Sequence, residues 1–129
     1  MTPQSEFLYL IAKTAEENCG LGCEISLKEL PKEGGIYAEL GEGFITTQYY
    51  DKRTIRTLPV LFLCRNVDQQ RCQEQLGAIC NYFQALKEYP QGERFRWLDT
   101  TIAKDVSKVG RDEDGTYHYS CILNSEIYF

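Results

Sequence analysis

The chain is poor in the residues from which most enzyme and metal sites are built. Among 129 residues it has one histidine, one tryptophan and one methionine. Nucleophilic catalysis needs a base and a third group that orients it. His118, beside Ser120 on the more polar face of the last apolar stretch, completes no Asp-His-Ser or Cys-His spacing and reads as a surface or cross-strand residue. Glycines occur singly or in pairs, so no phosphate loop is present. The trio Asp112, Glu113 and Asp114 lacks the twelve-residue ligand spacing of a calcium loop and reads as a solvated turn. These absences nominate no catalytic, cofactor-binding or metal residue, and no enzymatic activity is expected.

Basic residues are also scarce. Lys and Arg total 14 against 19 Asp and Glu, giving a net charge of −5 and a pI near 4.9. Wrapping nucleic acid requires phosphates to be neutralised, so specific nucleic-acid binding is not expected. The apolar run Val60-Leu61-Phe62-Leu63-Cys64 is too short to cross a bilayer and reads as a central strand covered on both faces. The N-terminus shows no signal-peptide pattern, so folding in a reducing cytoplasm is expected. An even count of six cysteines invites a disulfide framework. Their placement argues for thiols, because Cys64 and Cys121 fall in apolar strands while Cys72 and Cys80 fall on an apolar helix stripe. Cys19 and Cys23 are separated by three residues, and no second pair supplies the ligands of a zinc site.

The length suits one domain over residues 1–129. Thr2-Pro3 opens a helix whose face is Phe7, Leu10, Ile11, Thr14 and Ala15, stopped by Gly20 and Gly22. Residues 21–30 read as a weak strand or an extended connector. Residues 36–40 and 44–50 alternate as strands around Gly41-Glu42-Gly43 and read as a hairpin. A third strand starts near Thr54, where Pro59 suggests a bulge or a late start. Asn66 and Asp68 are candidate caps for a helix with Cys72, Leu76, Ile79, Cys80, Phe83 and Leu86 on one face, ended by Pro90 and Gly92. A long strand follows over 95–109, with Leu98, Ile102 and Val106 on one face and a bulge near Trp97. An Asp-Gly turn at 114–115 leads to a last alternating strand from Tyr117 to Phe129. The result is an α+β fold, order α-β-β-β-α-β-β apart from the weak strand, with a mainly antiparallel β-sheet and two helices packed on one face.

Charge is unevenly laid out. Residues 1–43 hold eight acidic side chains against three lysines, whereas residues 44–58 carry Lys52, Arg53 and Arg56 against Asp51 alone. Opposite signs on different surfaces suit head-to-tail association. The segment from Tyr49 to Arg56 is expected to project, either as an ordinary solvated hairpin tip or as a contact surface.

Phe7-Leu8-Tyr9-Leu10 in the first helix, Leu58-Pro59-Val60-Leu61-Phe62-Leu63 running into the helix at 68–86, and the closing strand from Tyr117-His118-Tyr119 to Tyr128 carry a resemblance. Over nearly its whole length the chain resembles the minor capsid and tail-terminator (tail completion) proteins of long-tailed bacteriophages and prophages. The resemblance implies a virion structural protein, made in the bacterial host cytoplasm and located at the head–tail junction. Such a subunit forms a ring, a hexamer in that family, that caps the tail tube, stops its polymerisation and provides the head-attachment surface. Implied partners are further copies of itself, the major tail tube protein and a head completion or connector protein, with no membrane partner. The hairpin arm would correspond to Tyr49, Tyr50, Asp51, Lys52 and Arg53. An acidic lumen, letting DNA pass without sticking, would be lined by Asp112, Glu113 and Asp114 or by the N-terminal glutamates. Another head–tail connector, or a non-viral α+β binding module, is the alternative.

Overall fold

The computed structural model describes residues 1–129, in the order α1 (Pro3–Asn18), β1 (Ile25–Ser26), β2 (Gly35–Leu40), β3 (Phe44–Gln48), β4 (Thr54–Asn66), α2 (Gln69–Ala85), β5 (Arg96–Arg111) and β6 (Tyr117–Tyr128). Each helix starts where a side chain meets an otherwise unpaired backbone donor. The Thr2 hydroxyl accepts from the Ser5 N–H at 3.1 Å ahead of Pro3, and the Asp68 carboxylate accepts from the Gln70 N–H at 3.1 Å. Asn66 sets up the second cap by accepting from the Asp68 N–H. After α1 the chain turns through Gly20 and Gly22, both with positive φ, and the buried Gln75 amide donates to the Leu21 carbonyl at 2.8 Å to hold that turn against α2.

Six strands form one sheet, ordered β1-β2-β4-β6-β5 with β3 also on β4. Only the β1–β2 pair is parallel. Helices α1 and α2 cover one face. Phe7, Ile11 and Ala15 from α1, with Cys72, Leu76, Ile79, Cys80 and Phe83 from α2, bury against Ile36, Ala38, Val60, Phe62, Cys64, Cys121, Leu123 and Ile127. The fold expected from the pattern is therefore the one observed. Residues 21–30 do contain a strand, two residues long, aligned by the Glu16 carboxylate, which accepts from the Ile25 N–H. Cys64, Cys72, Cys80 and Cys121 are fully buried free thiols serving as small apolar side chains.

Four local expectations need correction. First, β2 and β3 do not form a hairpin. Both run antiparallel to β4 on the same edge, β2 opposite Val60–Arg65 and β3 opposite Thr54–Thr57. The Gly41-Glu42-Gly43 segment interrupts one long edge instead of reversing it. Second, β4 has no bulge and no late start at Pro59, since its register with β6 is unbroken from Ile55↔Tyr128 to Asn66↔Tyr117. The Pro59 carbonyl accepts from the Gly41 N–H at 2.8 Å, so the imide nitrogen faces the gap between β2 and β3, where no ladder donor is needed.

Third, the apolar run of β4 is helix-covered on one face only. Val60, Phe62 and Cys64 are fully buried under the helices. Leu61 and Leu63 point to the other face, pair with Ile122 and Ser120, and stay half-buried. Fourth, Leu98 is 42% exposed, because the bulge at Trp97–Asp99 shifts the parity and turns Trp97 and Thr100 inward instead.

Candidate assembly surface

The arm residues lie at the tip of the β3–β4 hairpin. The Tyr49 N–H donates to the Arg53 carbonyl at 2.8 Å and the Lys52 N–H to the Tyr49 carbonyl at 3.0 Å, closing a short loop through Tyr50 and Asp51. Asp51 braces it from within by accepting from the Arg53 N–H at 3.1 Å and pairing with the Arg53 guanidinium at 3.1 Å. Lys52 has φ +75°, a left-handed conformation that costs a side chain about 1 kcal/mol. Lys52→Gly removes that cost but gives the unfolded chain more freedom to lose, so it is expected to raise folding stability by only about 0.5 kcal/mol in urea unfolding. An unchanged midpoint would show that the turn relaxes without strain.

The tip leans on the end of β6. Tyr49 meets Tyr128 edge to face at 5.9 Å between ring centres, and Arg53 donates to the Tyr128 hydroxyl at 3.2 Å. Arg56 lies 4.5 Å over the Phe129 ring. Tyr50 projects free of the body. Every side chain of β3 is exposed, including Phe44 at 57% and Ile45 at 52%, which flank a cleft of about 540 Å³ with Leu40, Arg56 and Leu58. The sequence marked 44–50 as a strand and gave no sign that its apolar side chains remain uncovered.

Beside the arm is an arginine-lined cleft of about 490 Å³, bounded by Arg53, Arg94, Arg96, Glu93, Tyr128 and Phe129. Arg94 is held at 2.6 Å by Glu6 of α1, whose carboxylate also accepts from the backbone N–H groups of Glu93 and Arg94. Those bonds, the Arg94 side chain first, hold the Glu6 carboxyl below the usual carboxylate range. A folded-state pKa below the unfolded one adds stability above about pH 4, lost as the pH falls through the folded value. Glu6→Gln is expected to flatten that acid limb of the stability–pH curve and to change little near pH 7 beyond a constant offset. A variant curve parallel to the wild type through the acid range would remove Glu6 from the explanation.

The acidic trio occupies the β5–β6 turn, where Gly115 takes φ +87° and the Asp112 N–H donates to the Thr116 carbonyl at 2.8 Å. Arg65, at the far end of β4, lies 3.4 Å from both Asp112 and Asp114, and His118 Nε2 lies 2.9 Å from Asp112. Hydrogen bonds from Thr116, helped by Arg65 and His118, hold the Asp114 carboxyl low. Glu113 stays exposed and outside these pairs. The role of Arg65 was not visible in the sequence, where it merely closes an apolar run. Among the N-terminal glutamates, Glu6 and Glu16 make backbone contacts and Glu39 accepts from the Tyr37 hydroxyl.

The structure does not bring the arm and the acidic trio together. The arm sits where Ile55 pairs with Tyr128, and the trio where Asn66 pairs with Tyr117, at opposite ends of β4 and β6. His118 is engaged by Asp112, and no group of three His, Cys, Asp or Glu side chains is placed to hold a metal ion. Burial pushes the Cys19 thiol up to about 11, away from the thiolate form that nucleophilic chemistry uses. No helix is long and apolar enough to cross a membrane.

These features define an α+β protein with helices on one side of an antiparallel sheet and with exposed aromatic and charged groups gathered at the two ends of its central strands. No protein-family model matches the chain, and no curated protein matches it. A solved structure does match: a chain of the "Virion of native gene transfer agent (GTA) particle" superimposes with a TM-score of 0.68 at 8% identity, covering 97% of this chain and 96% of that one. At that identity the likeness is one of fold.

Proposed function

We propose that the protein is a structural subunit of a phage-like virion, and within it a tail terminator: a ring that caps the tail tube, stops its growth and presents the surface to which the head attaches. The observation that supports the virion-subunit reading is the near end-to-end superposition on a chain of a gene transfer agent virion, and the step to a tail terminator rests on the sequence resemblance. The mechanism is one of shape, with no bond made or broken. One ring face copies the docking surface of a tube subunit and ends the stack, while the other receives the head completion protein.

The arm, Tyr49 to Arg53, supplies lateral anchors, since tyrosine gives much contact area for little lost side-chain freedom and arginine offers a planar fork of five donors. The exposed Phe44 and Ile45 extend that surface along β3. An acidic channel wall keeps DNA sliding, drawn from the N-terminal glutamates or from Asp112, Glu113 and Asp114. Electron micrographs of tube subunits polymerised with the protein should show shortened tubes closed by one additional ring. Tubes of unchanged length with bare ends would overturn the proposal.

A further inference from the structure

We propose that the cleft formed by Arg53, Arg94 and Arg96 receives the acidic β5–β6 turn, centred on Glu113, of a second copy of this chain. This inference rests on the ring reading and names the chemistry of its seam. The cleft has an open volume of about 490 Å³, and two of its three guanidiniums are already matched, Arg53 by Asp51 at 3.1 Å and Arg94 by Glu6 at 2.6 Å and Glu93 at 3.7 Å, so that Arg96 carries its one unmatched charge. Two arginines are already oriented, Arg53 by Asp51 and the Tyr128 hydroxyl and Arg94 by Glu6, while Arg96 lies outside these pairs. Oriented guanidiniums with an unengaged neighbour suit carboxylates arriving from outside.

The chain carries a matching group. Its β5–β6 turn presents three consecutive carboxylates, two of them held by Arg65 and His118 so that the turn keeps its shape and Glu113 leads. A chain cannot fill its own cleft. Arg96 pairs with Tyr128 at one end of the β5–β6 ladder and Arg111 with Tyr117 at the other, roughly 35–40 Å away by strand rise. The contact is therefore between different patches on successive copies, the heterologous kind that closes into a ring when the rotation allows. It also places the acidic turn in the seam, leaving the N-terminal glutamates to the channel wall.

Both decisive side chains are exposed, so their exchange leaves the core untouched. Arg96→Glu and Glu113→Arg, each confirmed as folded by circular dichroism, are expected to weaken self-association by about tenfold or more in sedimentation. Mixing the two variants in equal amounts should restore it, because each altered cleft then meets an altered turn and each native cleft a native turn. Alternation of this kind needs an even-numbered ring. Raising the salt concentration should weaken wild-type association. Single variants that associate like wild type, or a mixture no better than either variant alone, would overturn the proposed contact while leaving the ring reading intact. A wild-type chain that stays solitary alone and with tube ends would overturn both.

Discussion

A Tyr49→Ala, Arg53→Glu double variant is expected to stay folded and to lose assembly. Both side chains lie outside the core, and their contacts within the subunit run only to Asp51 and Tyr128. Removing one exposed edge-to-face pair and one exposed ion pair costs the fold about 1–2 kcal/mol. At an interface the same groups weigh more. Truncating a buried aromatic or arginine anchor typically costs 2 kcal/mol or more, about a thirtyfold loss in association, and the reversed charge adds repulsion against whatever Arg53 faces. Sedimentation should therefore show monomers where the wild type forms rings, with an unchanged circular dichroism spectrum. Normal ring formation by the double variant would take the arm out of the seam.

Trp97→Ala is expected to cost about 3–5 kcal/mol of folding stability, a large part of the total for a domain of this size. Trp97 is the point where three elements meet. Its ring packs at 5.1 Å on Phe7 of α1, 5.7 Å on Phe83 of α2 and 5.1 Å on Tyr89 of the connection into β5. Its indole N–H donates at 2.7 Å to the Thr100 hydroxyl, which lies 2.8 Å from the Ser125 hydroxyl, all three buried. Alanine empties the aromatic site and also leaves the Thr100–Ser125 pair without its indole donor. Trp97→Phe keeps most of the packing and should lose only about 1–2 kcal/mol. Urea unfolding in which the alanine variant loses less than the phenylalanine variant would show that the packing is not what holds α1 to the sheet.

Most elements were legible because they depend on neighbours in sequence. Thr2-Pro3 and Asp68 announce their helices through local hydrogen bonds, and the alternation from Tyr119 to Ile127 is the buried face of β6. The errors arose where distant pairing decides. A Gly-Glu-Gly segment serves equally as a turn or as a break in an edge, and only the 13-residue length of β4, which accommodates β2 and β3 end to end, selects the break. The position of Leu98 depended on one bulged residue. The half-buried state of Leu61 and Leu63 follows from both helices lying on one face, which the element order implied, whereas the apolar run taken alone reads as covered on both.

The candidate surface was legible in part for the same reason. The arm and the acidic turn are contiguous and could be named from the chain. The cleft joins Arg53 to Arg94 and Arg96 through Tyr128, an assembly set by sheet register, and the anchoring of the acidic turn by Arg65 spans almost fifty positions.

The unbroken register between β4 and β6 has a mechanical consequence. Twelve consecutive residue pairs join the hairpin end of the subunit to its acidic end, with both strands lying along the line between them. Tension applied from one end to the other slides those strands lengthwise past each other, so the ladder bonds carry the load together and do not open one after another. A subunit built this way transmits a pull between its two ends as a stiff tie rod would, and yields far more easily to a force that peels the sheet sideways.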